Sequence, residues 1–285
     1  MIYIVTPVFN RKTFTKNYLK ALGKQTVGNF KIIIVDDGSS DGTSDMIENE
    51  FPDVILLKED GDLWWAEATN IGVRYAIGQK ANYIMTLNDD TLPAFDYIEK
   101  MLYWSKKKPD TLIGALALDH DTNEIIYGGE NRSWKTGRSS YVLDGLSENE
   151  KFGLHEVSLF PGRGLLIPVN TFKKIGLYDS KNFPQTMADN DFTHRAINNG
   201  FKIFCNYDAK IKIYPDESAA VTLQNNKSLK NYIDHLFGMK GGGNLKWFIK
   251  CSLKNCPKRY LLSFIVKGVV SRIIGYWING LRKKS

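Results

Sequence analysis

Residues Thr86–Thr91 read Thr-Leu-Asn-Asp-Asp-Thr and follow the apolar run Tyr83-Ile84-Met85, so Asp89 and Asp90 sit at the tip of a strand pattern. Open α/β sheets bind ligands there, outside the carboxyl ends of their strands. Two adjacent carboxylates are hard oxygen ligands of the kind Mg²⁺ or Mn²⁺ takes while also holding a diphosphate. A second pair, Asp36-Asp37, closes the β-branched run Lys31–Val35. In a parallel sheet both tips lie on one edge. A carboxylate there can accept hydrogen bonds from a base N–H or a ribose hydroxyl, while a metal-bound one grips phosphate. A third cluster, Asp189 and Asp191, belongs to the helical pattern Met187–Asn198. Each cluster also has a plainer reading. Asp89-Asp90 could cap a helix, and Asp36-Asp37 could make an Asx turn. Asp189 could be an N-cap, and Asp191 could pair with Arg195 four residues on.

The elements that must position these side chains alternate through the first half. Strand patterns at Ile2–Thr6, Lys31–Val35, Val54–Leu57 and Tyr83–Leu87 are separated by helical patterns at Lys12–Gln25, Ser44–Phe51 and Ala66–Gly78, and Ala94–Lys107 follows. Such alternation predicts a parallel sheet with right-handed crossovers. After Pro109 the pattern becomes mixed. Strands are expected at Leu112–Leu118, Glu124–Tyr127, Glu156–Phe160, Lys202–Cys205 and Lys210–Ile213, with helices at Val169–Ile175 and Met187–Asn198. The position after the first strand reads Thr6-Pro7-Val8-Phe9-Asn10, without a dinucleotide fingerprint, and no Gly-x-x-x-x-Gly-Lys phosphate loop occurs. Phosphate is therefore expected on a metal rather than on a glycine-rich helix start, which argues against dehydrogenases and P-loop enzymes.

The 285 residues are 43% hydrophobic, enough for a sizeable core. Charge is uneven. Residues 222–285 hold thirteen Lys or Arg against the single acid Asp234, a balance of +12; the whole chain is +7, so the first 221 residues carry −5. Cys205, Cys251 and Cys256 have no metal-ligand company and read as idle thiols of a reducing compartment. The N-terminus enters a strand with no basic leader, which points to the cytoplasm.

The ordered set Ile4-Val5-Thr6-Pro7-Val8-Phe9-Asn10, Val35-Asp36-Asp37-Gly38-Ser39-Ser40-Asp41-Gly42-Thr43, Asn70-Ile71-Gly72 and Leu87-Asn88-Asp89-Asp90-Thr91 resembles family 2 glycosyltransferases of the GT-A fold. Pro161-Gly162-Arg163-Gly164-Leu165-Leu166-Ile167 and Ala188-Asp189-Asn190-Asp191-Phe192 match that family's acceptor-side motifs, in order. The resemblance covers about residues 1–220 and looks most like bacterial enzymes of O-antigen, capsule or other surface glycans, rhamnosyltransferases included. It implies a Rossmann-like, mostly parallel sheet flanked by helices. Residues 1–221 would form the catalytic domain, with a nucleotide-sugar half (1–108) and an acceptor half (109–221).

By the same resemblance Asp37, with Asp36, contacts the nucleobase, helped by Thr6, Pro7, Val8 and Asn10; Asn70 belongs to the donor side. Asn88-Asp89-Asp90 stands where the family has its Asp-x-Asp metal motif. Asn88 departs from that pattern, which leaves Asp90 as the expected Mg²⁺ or Mn²⁺ ligand and Asp89 facing ribose or sugar. Asp189 would be the general base and Asp191 a nearby orienting acid. Inverting transfer needs such a base for the acceptor hydroxyl and positive charge on the departing diphosphate. The implied donor is a UDP- or dTDP-linked sugar, the implied acceptor a lipid-linked glycan. A nucleotidyltransferase would begin with a glycine- and arginine-containing loop that is missing here. A non-catalytic adaptor would be free to lose Asp90 or Asp189, and both are present.

Trp64-Trp65 is an unusual loop pair, with faces suited to a sugar or base; Trp65 is assigned to the donor and Trp64 to the acceptor. Arg163, in Gly162-Arg163-Gly164, could bring a guanidinium to phosphate, with Gly164 beside the acceptor, or the loop could be a plain tight turn. The four histidines lack metal-ligand spacing. Gly241-Gly242-Gly243 reads as a flexible break. Arg259–Lys284 reads as an amphipathic helix, with Tyr276 and Trp277 suited to headgroups and cations at both ends; the plainer reading is a helix packed on the body. Lys267 and Arg272 argue against a span. Apolar residues outnumber cations there, which favours an anionic membrane surface over nucleic acid and places the protein peripherally at the inner face of the cell membrane.

Overall fold

The computed structural model describes residues 1–214, Leu223 and 227–278. In chain order the first half runs β1 (Ile2–Val8), α1 (Lys12–Leu22), β2 (Phe30–Asp36), α2 (Thr43–Glu50), β3 (Ile55–Lys58), α3 (Trp64–Gly78), β4 (Tyr83–Thr86), β5 (Thr91–Pro93) and α4 (Tyr97–Lys107). The second half adds β6 (Leu112–Asp119), β7 (Ile125–Tyr127), β8 (Glu130–Arg132), β9 (Ser139–Tyr141), β10 (Leu154–Val157), β11 (Leu165–Pro168), α5 (Val169–Ile175), α6 (Ala188–Asn198) and β12 (Ile203–Ile213). The C-terminal helices are α7 (Leu229–Phe237), α8 (Leu245–Asn255) and α9 (Lys258–Ile278).

The central sheet runs β10-β12-β6-β11-β4-β1-β2-β3. Its first half is parallel, with Ile4 opposite both Ile32 and Met85. Strand β11 enters antiparallel between β4 and β6, and β6 pairs parallel with β12. The sheet is therefore mixed, as the change of pattern after Pro109 foreshadows. Strands β1 and β2 are apolar on both faces because helices cover both. Tyr3, Val5, Ile33 and Val35 face one core with α3 and α6, while Ile2, Ile4 and Ile34 face another with α1 and α4.

The two short strands expected at Lys202–Cys205 and Lys210–Ile213 are one strand, β12, whose register against β6 shifts between Asn206 and Lys210. That bulge interrupts the apolar pattern without ending the pairing. Strands β5, β8, β9 and β11 fall outside the strand patterns of the sequence. The C-terminal segment is integrated into the body: Trp247 and Cys251 of α8 lie in the same core as Phe192 of α6. The glycine triplet forms a close turn, since a Cβ on Gly243 would fall 2.2 Å from His235 Nε2.

Helix α9 differs from the expected amphipathic helix in which face is polar. Phe264, Gly268 and Tyr276 are buried, and the Arg272 guanidinium lies 3.6 Å from the Phe248 ring centroid. Burial and the nearby Arg132 push the Arg272 pKa down to about 10. Leu262, Val266, Val270, Ile273, Ile274 and Trp277 are exposed instead. The helix is long and apolar enough to cross a membrane by length and composition. The cations 282–284 assigned to its end lie outside the described residues.

Candidate active site

A cavity of about 280 Å³ opens at the carboxyl ends of β1, β2 and β4. Pro7, Val8 and Phe9 form one wall, Asp62, Trp64, Trp65 and Ala68 a second, and Asn88, Asp89 and Asp90 a third. Asp37 joins the first two. Its Oδ1 accepts from Leu63 N at 3.1 Å, and its Oδ2 accepts from Trp64 N at 3.1 Å. A carboxylate thus satisfies the free N–H groups at the start of α3. Trp64, with φ of 60°, takes the left-handed turn that this requires.

Its neighbour Asp36 turns the other way. Asp36 is buried, accepting from Ser39 N at 2.9 Å and from the Ser44 hydroxyl, so it holds the turn rather than walling the cavity. Thr6 is also beneath the site, hydrogen-bonded to the Tyr18 hydroxyl at 2.7 Å. Asn10 bridges two loops: its N–H reaches Ser39 Oγ and its Oδ1 accepts from Ser40 N, each at 2.8 Å. Asn70 is buried on α3 and exchanges hydrogen bonds with the Tyr178 backbone, at 2.9 and 3.0 Å. These four side chains support the site and do not line it.

The acidic run has three different environments. Asn88 Oδ1 accepts from Trp65 Nε1 at 3.0 Å, which locks the indole over the cleft. Asp89 is buried beneath, accepting from Thr15 Oγ1 at 3.1 Å, with Arg11 Nε 3.2 Å away. Burial pushes the Asp89 pKa up to about 7, against the pull of Arg11 and with help from Asp90. Asp90 has Arg11 Nη2 at 3.7 Å, and its Oδ1 is buried with no hydrogen-bond partner. The Arg11 contacts are ion-pair distances without hydrogen-bond angles.

An orphaned carboxylate oxygen on a cavity wall fits a divalent cation. Among the described residues no group of three or more metal-ligating side chains assembles. One or two carboxylates with substrate phosphates is the set Mg²⁺ commonly takes.

On the opposite side, Trp65 packs on Gly162 so closely that a Cβ there would meet the ring at 2.3 Å. Gly162 N donates to Asp189 Oδ2 at 3.3 Å, and Asn190 N donates to Oδ1 at 2.8 Å. Asp189 is half-buried, just past the cavity-lining Gln185. Burial raises its pKa, opposed by those two N–H groups and by the Arg163 guanidinium. Gly164 is buried between strands, donating to Thr86 O at 2.8 Å, and so presents no surface to an acceptor.

Asp191 points away from the cleft. It is fully buried and meets Arg195 Nε at 2.7 Å, Lys254 Nζ at 3.0 Å and Asn255 Nδ2 at 2.9 Å. That is a clamp between α6 and α8, the in-helix pairing with Arg195 extended to a second helix. Phe9, Asp62 and Ala68, each beside an expected residue, line the cavity outside the expected site set, and so do three residues remote in type or sequence: Arg11, Gln185, whose Oε1 accepts from Trp65 N at 3.1 Å, and Lys240. Arg11 directly follows the quoted Thr6–Asn10 motif and was within reach; the other two carry no local signal.

The chain matches Glycosyl transferase family 2 over residues 3–157. An uncharacterized glycosyltransferase of Rickettsia bellii is 27% identical over 188 residues, which cover 63% of this chain and 25% of that protein. One of Rickettsia typhi is 30% identical, covering 63% of this chain and 54% of that protein. The chain thus spans a quarter to about half of these relatives' lengths. A PGL/p-HBAD biosynthesis glycosyltransferase of Mycobacterium bovis is 26% identical, covering 70% of either protein. Among solved structures, S. aureus TarS 1-349 superposes with TM-score 0.59 at 11% identity, covering 99% of this chain and 92% of that one. The same protein in complex with UDP gives TM-score 0.57 at 12% identity, covering 96% and 90%. These likenesses are of fold, and that fold is GT-A-like. With more than half its length matched, the chain belongs to glycosyl transferase family 2.

Proposed function

We propose that this glycosyltransferase moves a sugar from a UDP- or dTDP-linked donor to a hydroxyl of a growing, lipid-linked surface glycan, with inversion at the anomeric carbon. One observation carries the reading: Asp37, the Asn88-Asp89-Asp90 run and Trp65 wall a single cavity. Asp189 is outside that lining and accepts from the N–H of Gly162, the residue packed against Trp65. Asp37 and the end of β1 receive the nucleoside. Trp65 offers its face to the donor sugar, while Trp64 and Arg163 face the acceptor. Asp90 would hold Mg²⁺ or Mn²⁺, which when bound supplies positive charge to the diphosphate. Asp189 takes the proton from the attacking hydroxyl, and its raised pKa brings it nearer to a base matched to neutral pH.

The test is thermal unfolding against a panel of nucleotide sugars with Mn²⁺, followed by transfer assays with the best binder. A saturating donor at about a hundred times its Kd stabilises by about 2.7 kcal/mol. No stabilisation by any nucleotide sugar and no nucleoside diphosphate release would overturn the reading.

The exposed stripe of α9 supports a peripheral position at the cytoplasmic face of the cell membrane. Leu262 is 78% exposed and Trp277 47% exposed, and Lys258, Arg259 and Lys267 flank them. The opposite face is already occupied by the body. An apolar stripe with flanking cations suits the headgroup layer of anionic lipid.

A further inference from the structure

We propose that Lys240 binds the donor diphosphate and is a catalytic residue of the transfer, presented to the cavity by the turn between α7 and α8; this rests on the nucleotide-sugar reading above. Among the described residues the cavity wall carries the carboxylates of Asp37, Asp62, Asp89 and Asp90 and two cations, Arg11 and Lys240. Arg11 is committed to Asp89 and Asp90, at 3.2 and 3.7 Å. Lys240 makes no ion pair among the described residues and is exposed. A departing nucleoside diphosphate needs positive charge where its own charge develops. Lys240 is the uncommitted cation of the described cavity lining.

The turn holds the Lys240 backbone in place. Gly241 N donates to Gly238 O at 3.1 Å, and Asn244 Nδ2 donates to the same oxygen at 3.0 Å. A Cβ on Gly241 would fall 2.4 Å from the carbonyl oxygens of Asp234 and His235, so the chain passes there only as glycine. His235 is buried, with its ring 5.2 Å from that of Tyr276 on α9. The C-terminal helices thereby brace the turn, while the flexible lysine stem leaves the ammonium free to follow phosphate. The segment beyond β12 thus completes the donor site.

Titration of the full chain with UDP, dTDP and the corresponding monophosphates, in Mn²⁺, tests this. Lys240→Ala is expected to bind the better diphosphate about tenfold more weakly, as for loss of one hydrogen bond to a charged group. Monophosphate affinity and melting temperature should stay at wild-type values, and Lys240→Arg should recover most of the diphosphate affinity. Wild-type diphosphate affinity and transfer rate in Lys240→Ala would overturn the proposal alone. An equal loss for mono- and diphosphates would also overturn it, by moving Lys240 to the nucleoside side. A wild-type chain that binds none of the four nucleotides removes the nucleotide-sugar reading itself.

Discussion

Replacing Asp191 by alanine separates a structural clamp from a catalytic acid. Its carboxylate is fully buried and meets Arg195 at 2.7 Å, Lys254 at 3.0 Å and Asn255 at 2.9 Å. Removing one partner of a buried ion pair costs about 3–5 kcal/mol. The lower end applies here. The Arg195 guanidinium keeps bonds to the Ile175 and Leu177 carbonyls, at 2.5 and 2.8 Å, and Lys254 is 36% exposed. At about 2–4 °C per kcal/mol for a chain of this size, a loss of about 3 kcal/mol lowers the melting temperature by about 6–12 °C. The assay is thermal unfolding of Asp191→Ala beside initial transfer rates measured well below its midpoint. The expected result is a large drop in midpoint with kcat within a few-fold of wild type. An unchanged midpoint with turnover reduced a hundredfold would refute the clamp and restore Asp191 to the chemistry.

Asp189→Asn should keep nucleoside diphosphate binding and lose about 10²–10⁴-fold in kcat, the usual range for a positioned base; full turnover would reassign the base. Because Asp189 works ionised and its pKa is raised, kcat/KM should climb with pH through a value above the ordinary carboxylate range. Arg163→Gln, which removes a guanidinium that lowers that pKa, should shift the rising limb to higher pH. Asp90→Ala should abolish the Mn²⁺ dependence of donor-induced stabilisation, read by thermal shift with and without chelator. Gly162→Ala puts a methyl into the Trp65 ring and should cost about 1–3 kcal/mol while weakening donor binding, seen in denaturant midpoints and nucleotide titrations. Replacing Leu262, Val266 and Val270 together by serine should halve or better the sedimentation with anionic vesicles, with activity on a soluble acceptor kept.

Much of this arrangement is legible in the sequence because buried parallel strands are continuous apolar runs that must end in turn residues. β1, β2 and β4 follow from that rule, and Asp37 and Asp90 follow from the places where those runs stop. Strand β11 escapes it, being four residues long and flowing directly into α5. Gln185 and Lys240 escape it for a different reason. Each is a single polar residue on a connection, and only the packing of Trp65 and of the turn at His235 brings it to the cavity.

Helix periodicity alone places Asp191. Residues two apart on a helix point about 200° from one another, so i and i+2 do not face the same side. If Asp189 borders the cleft, Asp191 must face the body, and it does. Asp36 is the last residue of β2 and turns to Ser39 and Ser44, while Asp37, just past the strand end, turns to the start of α3. On α9 the same geometry sorts the residues into rows four apart. Phe264, Gly268, Arg272 and Tyr276 form the inner row, Ser263, Lys267 and Ser271 a polar border, and Leu262, Val266, Val270 and Ile274 the outward row. Counting Arg272 with the polar border hides the buried stacking on Phe248. It also makes the helix look like one whose charged face meets water, when the face turned outward is apolar.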